Sequence, residues 1–320
     1  MPINMAGLKL IRGVKMFAYI VKRLASAIVT IFLVATLTFF LMHLIPGGPF
    51  LAEKAPSPQT LKALQEKYGL DKPVGIQYLN YMKRLISGDL GTSLKKRGQE
   101  VNDIIRTKFP VSARIGLLAV IMAVSIGIPM GSIAALNRGK WFDRFLMFIS
   151  TLGIAIPGFV VSTVLLFFFG VRLRILPTVG LTTPLHYILP VTALSFYPTA
   201  YISRLMRSSM LDVLGQDYMR TAKAKGLSQF KSLFKHALRN AILPIITYLG
   251  PALAYILTGS LVVEKIFTIP GLGRQFVSSI TDRDYPLIMG LTIFLAFLLI
   301  TMNVIVDIIY KIIDPRIKLK

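Results

Sequence analysis

Residues 204–244 read RLMRSSMLDVLGQDYMRTAKAKGLSQFKSLFKHALRNAILP. A long uncharged stretch ends at Ser203, and the chain enters this segment through Arg204 and Arg207. Residues 216–225 are rich in the helix formers Arg, Ala, Lys and Met, which predicts a short helix there. Gly226 stands where a left-handed residue closes a helix, and Ser228 is placed to cap the next one. Beyond it Phe230, Leu233, Phe234, Ala237 and Leu238 fall at i, i+3, i+4, i+7 and i+8, the stripe of one apolar helical face. That second helix runs on toward Ile242-Leu243-Pro244. The segment therefore predicts a helix–Gly–helix element between two apolar stretches. Ala222 and Ala224 leave room for another surface to approach closely, and Lys223 and Lys225 flank them. A solvated basic loop is one reading of this pattern. Ordered caps and small residues on one face favour the other, a docking element for a partner.

Composition sets the surroundings of that element. Of 320 residues 54% are hydrophobic and 16% charged, yet 37 Lys+Arg against 14 Asp+Glu leave a net charge of +23. Soluble domains carry about 25% charge with the signs mixed. A nucleic-acid binder can be this basic but not this apolar, and a disordered basic chain lacks the aromatics and branched aliphatics. A membrane protein whose basic residues sit outside the bilayer remains. The chain has no cysteine, so it holds no disulfide or thiolate site. Its histidines, at 43, 186 and 236, are too scattered to suggest a metal cluster.

A spanning helix needs roughly 20 apolar residues. Six stretches of that length lack Asp, Glu, Lys and Arg: 25–45, 115–137, 145–171, 175–203, 240–263 and 285–306. Prolines at 177, 184 and 190 confine the fourth helix to about 186–203. The expected fold is an all-α polytopic membrane protein with six spans, and an even number puts both termini on one side. With the termini inside, the short inside segments hold 20 Lys+Arg and the short outside loops hold 5. The 12 in residues 46–114 count little, because loops longer than about 60 residues translocate largely regardless of charge. The bias predicts cytoplasmic N- and C-termini. Lys22-Arg23 before an apolar run resembles a signal peptide, but no Ala-x-Ala site follows, so the first helix is expected to stay.

The expected organisation is a cytoplasmic extension over 1–16, a first span within 17–45, an extracytoplasmic segment over 46–110 and a five-helix core over 111–320 that contains the loop 204–239. The extracytoplasmic segment has turn signals in Pro46-Gly-Gly-Pro49 and Pro56-Ser-Pro58. It predicts a short helix over 59–68, a stop in Tyr68-Gly-Leu-Asp-Lys-Pro73 and an amphipathic helix over 77–86. Such a segment can lie on the membrane or receive a soluble partner. Asp307, four residues after Asn303, reads as part of a polar pair at a helix end. Ser195, Tyr197, Thr199, Tyr201 and Ser203 alternate with apolar residues, but a spacing of two marks no single helical face; Thr258, Ser260 and Asn303 are likewise unassigned.

The 204–244 segment resembles the cytoplasmic loop of ABC-importer permeases, marked by Glu-Ala-Ala, three residues, Gly, and a later Ile-x-Leu-Pro. Arg220, Thr221 and Ala222 stand at the Glu-Ala-Ala positions, Gly226 at the Gly, and Ile242-Leu243-Pro244 at the end. Arg220 in place of Glu, and the longer run from Gly226 to Pro244, are departures typical of the peptide permeases, whose loop reads Asp-Tyr-x-Arg-Thr-Ala-x-Ala-Lys-Gly-Leu, as Asp217–Leu227 does here. Tyr19-Ile-Val-Lys-Arg-Leu24, Gly88-Asp-Leu-Gly91, Val263-Glu264, Ile269-Pro-Gly-Leu-Gly273, Arg283-Asp-Tyr-Pro286 and Asp314-Pro-Arg-Ile317 resemble the same branch. The likeness covers about 17–317 and is greatest to the first of the two permease subunits of an oligopeptide importer. Pro46-Gly-Gly-Pro-Phe50 and Glu264-Lys-Ile-Phe267 lean away from the dipeptide and nickel branches.

The resemblance implies a type I ABC-importer permease in a prokaryotic plasma membrane, paired with a second permease subunit. It also implies two cytoplasmic ATPases that hold ATP and Mg, and an extracytoplasmic peptide-binding protein. Asp217, Tyr218, Arg220, Thr221, Ala222, Lys223, Ala224, Lys225, Gly226 and Leu227 would form the coupling helix that receives an ATPase. Pro270, Gly271, Leu272 and Gly273 would meet the binding protein. The chain contains no Gly-x4-Gly-Lys-Ser/Thr loop, so it is not expected to hydrolyse ATP or hold a cofactor. No paired acids, zinc spacing or Ser/His/Asp set suggests another enzyme, and nucleic acid is not an expected partner. A stand-alone secondary transporter is the competing class, disfavoured because residues 1–160 and 161–320 show no repeat.

Overall fold

A computed structural model describes residues 5–45, 48–50, 57–96, 98–226, 233, 237–257 and 259–313. Helices dominate, and among the described residues the only β pairing is one isolated antiparallel bridge, Thr92 to Glu100. The chain divides into two compact units, Met1–Ile105 with Ser278–Lys320, and Arg106–Val277.

The first unit begins with α1, Met5–Leu44. The helix is continuous across residue 16, so the expected extension and first span form one element, of which Val21–Leu44 is long and apolar enough to cross a membrane. Two short helices follow, α2 over Pro58–Tyr68 and α3 over Val74–Ile86. Ser57 caps α2 by accepting from Thr60 N at 3.2 Å, and Gly69 closes it at φ 67°. Both helices begin earlier than the apolar spacing predicts, because Pro58 and Pro73 fix the backbone for helix entry. Helix α3 packs on α1: Tyr81 stacks on Phe39, Tyr78 meets the same ring edge-on, and His43 Nε2 meets Gln77 Oε1 at 3.0 Å. One face of the segment expected to be extracytoplasmic is therefore covered from within the chain. Of its expected turns, residues 46–47 and 51–56 lie outside the described residues.

The last helix, Tyr285–Ile313, returns beside α1. Tyr285, Met289 and Ile293 join Ala35, Phe39 and Tyr81 in one core. Two motifs far apart in sequence meet at its start. The Asp284 carboxylate, almost fully buried, accepts from Ser93 Oγ and from Leu94 N at 3.0 Å. Nearer the other end Arg23 is ion-paired with Asp307 at 2.5 Å. Asp307 is thus half of an interhelix pair.

The second unit is built on α4, Val101–Leu136. This helix starts 14 residues before the uncharged stretch at Ile115 and runs straight through the expected domain boundary at 110/111. Then come α5 (Trp141–Ala155), α6 (Gly158–Leu165) continued by a π-helical turn over Leu166–Arg172, and α7 (Leu185–Leu214). The chain goes on through α8 (Asp217–Ala224), α9 (Leu238–Ala241), α10 (Leu243–Leu257), α11 (Leu261–Ile266) and α12 (Leu272–Thr281), which leads into the last helix, α13. The expected stripe helix lies outside the described residues except at Leu233, Ala237 and Leu238.

The stretch 145–171, expected as one span, is two helices bent by 101°. Pro157 explains the break: it has no N–H, and it forces Ile156 into extended backbone at φ −81°, ψ 122°. Among the described residues, counting the bent pair as one, five helical stretches are long and apolar enough to cross a membrane. The fourth expected span is α7, long enough at 30 residues but diluted by Arg204, Arg207 and its hydroxyl groups.

Two cores lie along α4 and α7. One gathers Ile115, Ala119, Leu189, Ala193, Ile256 and Phe267; the other gathers Ala123, Ala135, Met206, Met210, Met219 and Ile245. Gly131 lets the two helices close on one another. A Cβ there would meet Met206 Cβ at 2.7 Å, so no larger residue fits without moving backbone.

Candidate functional site

The element that led the sequence reading folds as a short helix. It runs Asp217–Ala224, shorter by one residue at each end than the composition predicts. Its first turn is closed by Met219 N and Arg220 N donating to the Gln216 carbonyl at 3.0 and 3.4 Å. Lys225 N donates to the Thr221 carbonyl at 3.0 Å, and Gly226 then takes φ 71°, which a Cβ would strain. The helix therefore stops sharply where the glycine predicts.

Its attachment is narrow. Met219 is 1% exposed and enters the Met206–Met210 core. Asn240 Nδ2 donates to the Tyr218 hydroxyl at 2.8 Å, tying the helix to α9. The opposite side faces outward. Asp217, Arg220, Thr221, Ala224, Lys225 and Gly226 are exposed, and the Asp217 and Arg220 side chains are 97% and 79% accessible. Their 3.8 Å ion pair is fully solvated and contributes little to stability. Ala222 and Lys223 lie within the helix; Leu227 lies outside the described residues.

One structural device near this helix was not visible in the sequence. Arg207, two turns before the end of α7, grips Asp143 of α5 through Nε–Oδ1 at 2.6 Å and Nη2–Oδ2 at 2.7 Å. Gly139 N donates to the same carboxylate at 2.9 Å, and Asp143 is only 3% exposed. A bidentate pair fixes orientation as well as distance. Charge counting treats Asp143 as one more inside acid; only the fold brings the two together, 64 residues apart.

The Pro270–Gly273 segment is placed mostly inside. Pro270 is exposed, but Gly271, Leu272 and Gly273 are buried. They wrap the carboxylate of Glu264, itself 3% exposed. Glu264 accepts from Ser112 Oγ at 2.6 Å and from Arg274 N at 2.9 Å, while Leu272 N donates to Ser112 Oγ at 2.7 Å. A Cβ on Gly271 would meet Glu264 Cδ at 2.5 Å, so this glycine is required by close approach. The Val263-Glu264 and Ile269–Gly273 motifs are therefore two halves of one buried cluster.

The alternating polar residues of α7 separate by face. Ser195 and Ser203 are buried, while Tyr197 and Tyr201 are exposed one turn apart. Tyr201 packs on Tyr248 of α10 with ring centroids 4.4 Å apart. Ser260 caps α11 by accepting from Val263 N at 3.3 Å, and Thr258 lies outside the described residues. Among the described residues no three His, Cys, Asp or Glu side chains come close enough to hold a metal ion.

Residues 127–319 match the family described as the binding-protein-dependent transport system inner membrane component, and residues 16–116 match the N-terminal region of such membrane components. The chain belongs to this permease family. A Bacillus subtilis dipeptide transport system permease protein is 49% identical over 304 residues, covering 95% of this chain and 99% of its own. A Haemophilus influenzae oligopeptide transport system permease protein is 46% identical over 305 residues, covering 95% of this chain and all of its own. An inward-facing structure of the MetNI methionine ABC transporter superposes with a TM-score of 0.56 at 15% identity, over 66% of this chain and 96% of that one. That likeness shows the fold: the helical core of this permease is that of an ABC importer. The residues expected to form a coupling helix lie within the part matched by the family, between α7 and α9.

Proposed function

We propose that this permease is one of two membrane subunits of an ATP-driven importer of peptides, seated with both termini in the cytoplasm. The observation that carries the substrate class is similarity over nearly the whole chain to permeases named for dipeptides and for oligopeptides, at 49% and 46% identity. Oligopeptides are the first candidates, on the lean of residues 46–50 and 264–267; dipeptides are the near alternative, and nickel or another small solute the more distant one. In this reading six spans arise from α1, α4, the bent pair α5–α6, α7, α9–α11 together and α13. Helix α8 is the coupling helix. Its outward face, centred on Arg220, Thr221 and Ala224, meets a cytoplasmic ATPase, where ATP and Mg are held. Movement passes to the spans through Met219 and through the Arg207–Asp143 pair, as rigid-body rocking of packed helices requires. An extracytoplasmic protein delivers the peptide, and Pro270 is the one exposed residue of the four expected at that contact.

Reconstitution tests this. The chain with a second permease, two ATPases and a binding protein in proteoliposomes should accumulate peptide only with ATP. Peptide accumulation by the chain alone would overturn the assignment. Gly226→Pro should abolish co-purification of the ATPase while membrane insertion persists; unchanged assembly would remove α8 as the dock.

A further inference from the structure

At the end of α7 far from the dock, a cationic residue stands without a carboxylate. Arg114 lies on α4, one residue before the uncharged stretch that begins at Ile115. Among the described residues its hydrogen bond is from Nη1 to the Tyr187 hydroxyl, at 3.3 Å, a long contact to a neutral group. The ion pairs of the described residues do not include it. Arg114 is exposed, and the natural partner of its guanidinium is an oxyanion bound in two-pronged fashion.

A wide-open cavity of about 400 Å³ lies beside it, and its lining residues are exposed or half-buried. Its volume falls within the roughly 300–1,000 Å³ of small-molecule sites, but its mouth is open rather than enclosing. Its walls are of two kinds. Arg114, Thr182, Thr183 and Tyr187 offer a cation and hydroxyl groups; Leu118 and Leu181 offer apolar surface. The hydroxyl wall is held in place from behind, since Thr183 N donates to His186 Nδ1 at 3.2 Å and Thr183 Oγ1 meets the same nitrogen at 2.8 Å. Helix α7 begins at Leu185, so the positive end of its dipole adds to the field there. Over 30 residues α7 extends about 45 Å before the chain reaches α8. Cavity and dock thus sit at opposite ends of one helix, and with α8 in the cytoplasm the cavity is on the face where substrate arrives.

We propose that the Arg114 cavity is an entry subsite for the carboxyl-terminal residue of the transported peptide, with the guanidinium and Tyr187 on the α-carboxylate and Leu118 and Leu181 against the side chain. This rests on the peptide-import reading and deepens it. An anionic group is common to every unmodified peptide, so one fixed cation recognises the class while the apolar wall accepts varied side chains. The same charge repels a hydrated metal cation.

The complete importer in proteoliposomes, at saturating binding protein, tests it with one peptide in free-acid and C-terminally amidated forms. Arg114→Gln should raise the apparent KM for the free acid about tenfold, the loss of one charge-assisted contact, and change that for the amide by less than about twofold. Arg114→Lys should recover part of the difference. Tyr187→Phe should shift the free acid alone, by about threefold. Equal effects on both peptides, or none, overturn the subsite. An effect equal for both that vanishes in vesicles of purely zwitterionic lipid identifies a net-anionic lipid headgroup as the occupant instead. Failure of the wild-type complex to move either peptide overturns the import reading itself, a different outcome from transport without discrimination. Yield of the assembled complex separates misfolded variants from these outcomes.

Discussion

The two ends of the second unit are held together by different chemistry. Around Glu264 a buried carboxylate, a serine hydroxyl, backbone N–H groups and a close-packed glycine leave no freedom. Around Met219 three methionines, which refill irregular space easily, pack among alanines and isoleucines, and a phenol–amide hydrogen bond ties the short helix outward. The contrast follows the division of work proposed for the two ends. A lever must shift against its seat without breaking it, and flexible thioethers plus one bidentate pair provide that. The far end has to stay fixed while the lever moves.

Three substitutions can break that contrast. Glu264→Ala should be the most damaging. It leaves Ser112 and backbone donors buried without an acceptor, at a cost of about 3–5 kcal/mol, read as loss of folded protein in a detergent melt. Arg207→Ala should come next, at about 2–3 kcal/mol, since it strands a buried Asp143 carboxylate beside a partly solvated site. Its distinctive signature is in coupling: ATP hydrolysed per peptide moved should rise, and the charge reversal Asp143→Arg with Arg207→Asp should restore part of it. A purely structural pair would lower both activities together. Smallest is Tyr218→Phe, about 1 kcal/mol for one hydrogen bond, seen as weaker ATPase co-purification with an unchanged melt. A larger cost at Tyr218 than at Glu264 would invert the comparison.

How much of this was legible in the sequence depends on range. The stop at Gly226 and the short helix expected over 59–68 follow from residues a few positions apart, and their local chemistry shows in the string. The bend at Pro157 was also local, but a count of uncharged residues does not register a break in direction. Asp143 with Arg207, Asp284 with Ser93, and Ser112 with Glu264 are separated by 64, 191 and 152 positions. Nothing in one sequence pairs them, because each charge is satisfied only by the fold. For the same reason the close approach of Gly271 to the Glu264 carboxylate does not show in the run Pro270–Gly273, which reads only as an expected contact for a binding protein.

The pair between Arg23 and Asp307 carries a consequence for how the protein is made. The second unit is one unbroken run, Arg106–Val277, whereas the first joins the opening of the chain to its last 43 residues. Arg23 therefore enters the membrane 284 residues before its partner exists. At roughly 5–20 residues per second that is a wait on the order of 15–60 s. Helix α1 is thus completed only when the last helix described arrives beside it, and the Arg23–Asp307 pair forms late in synthesis.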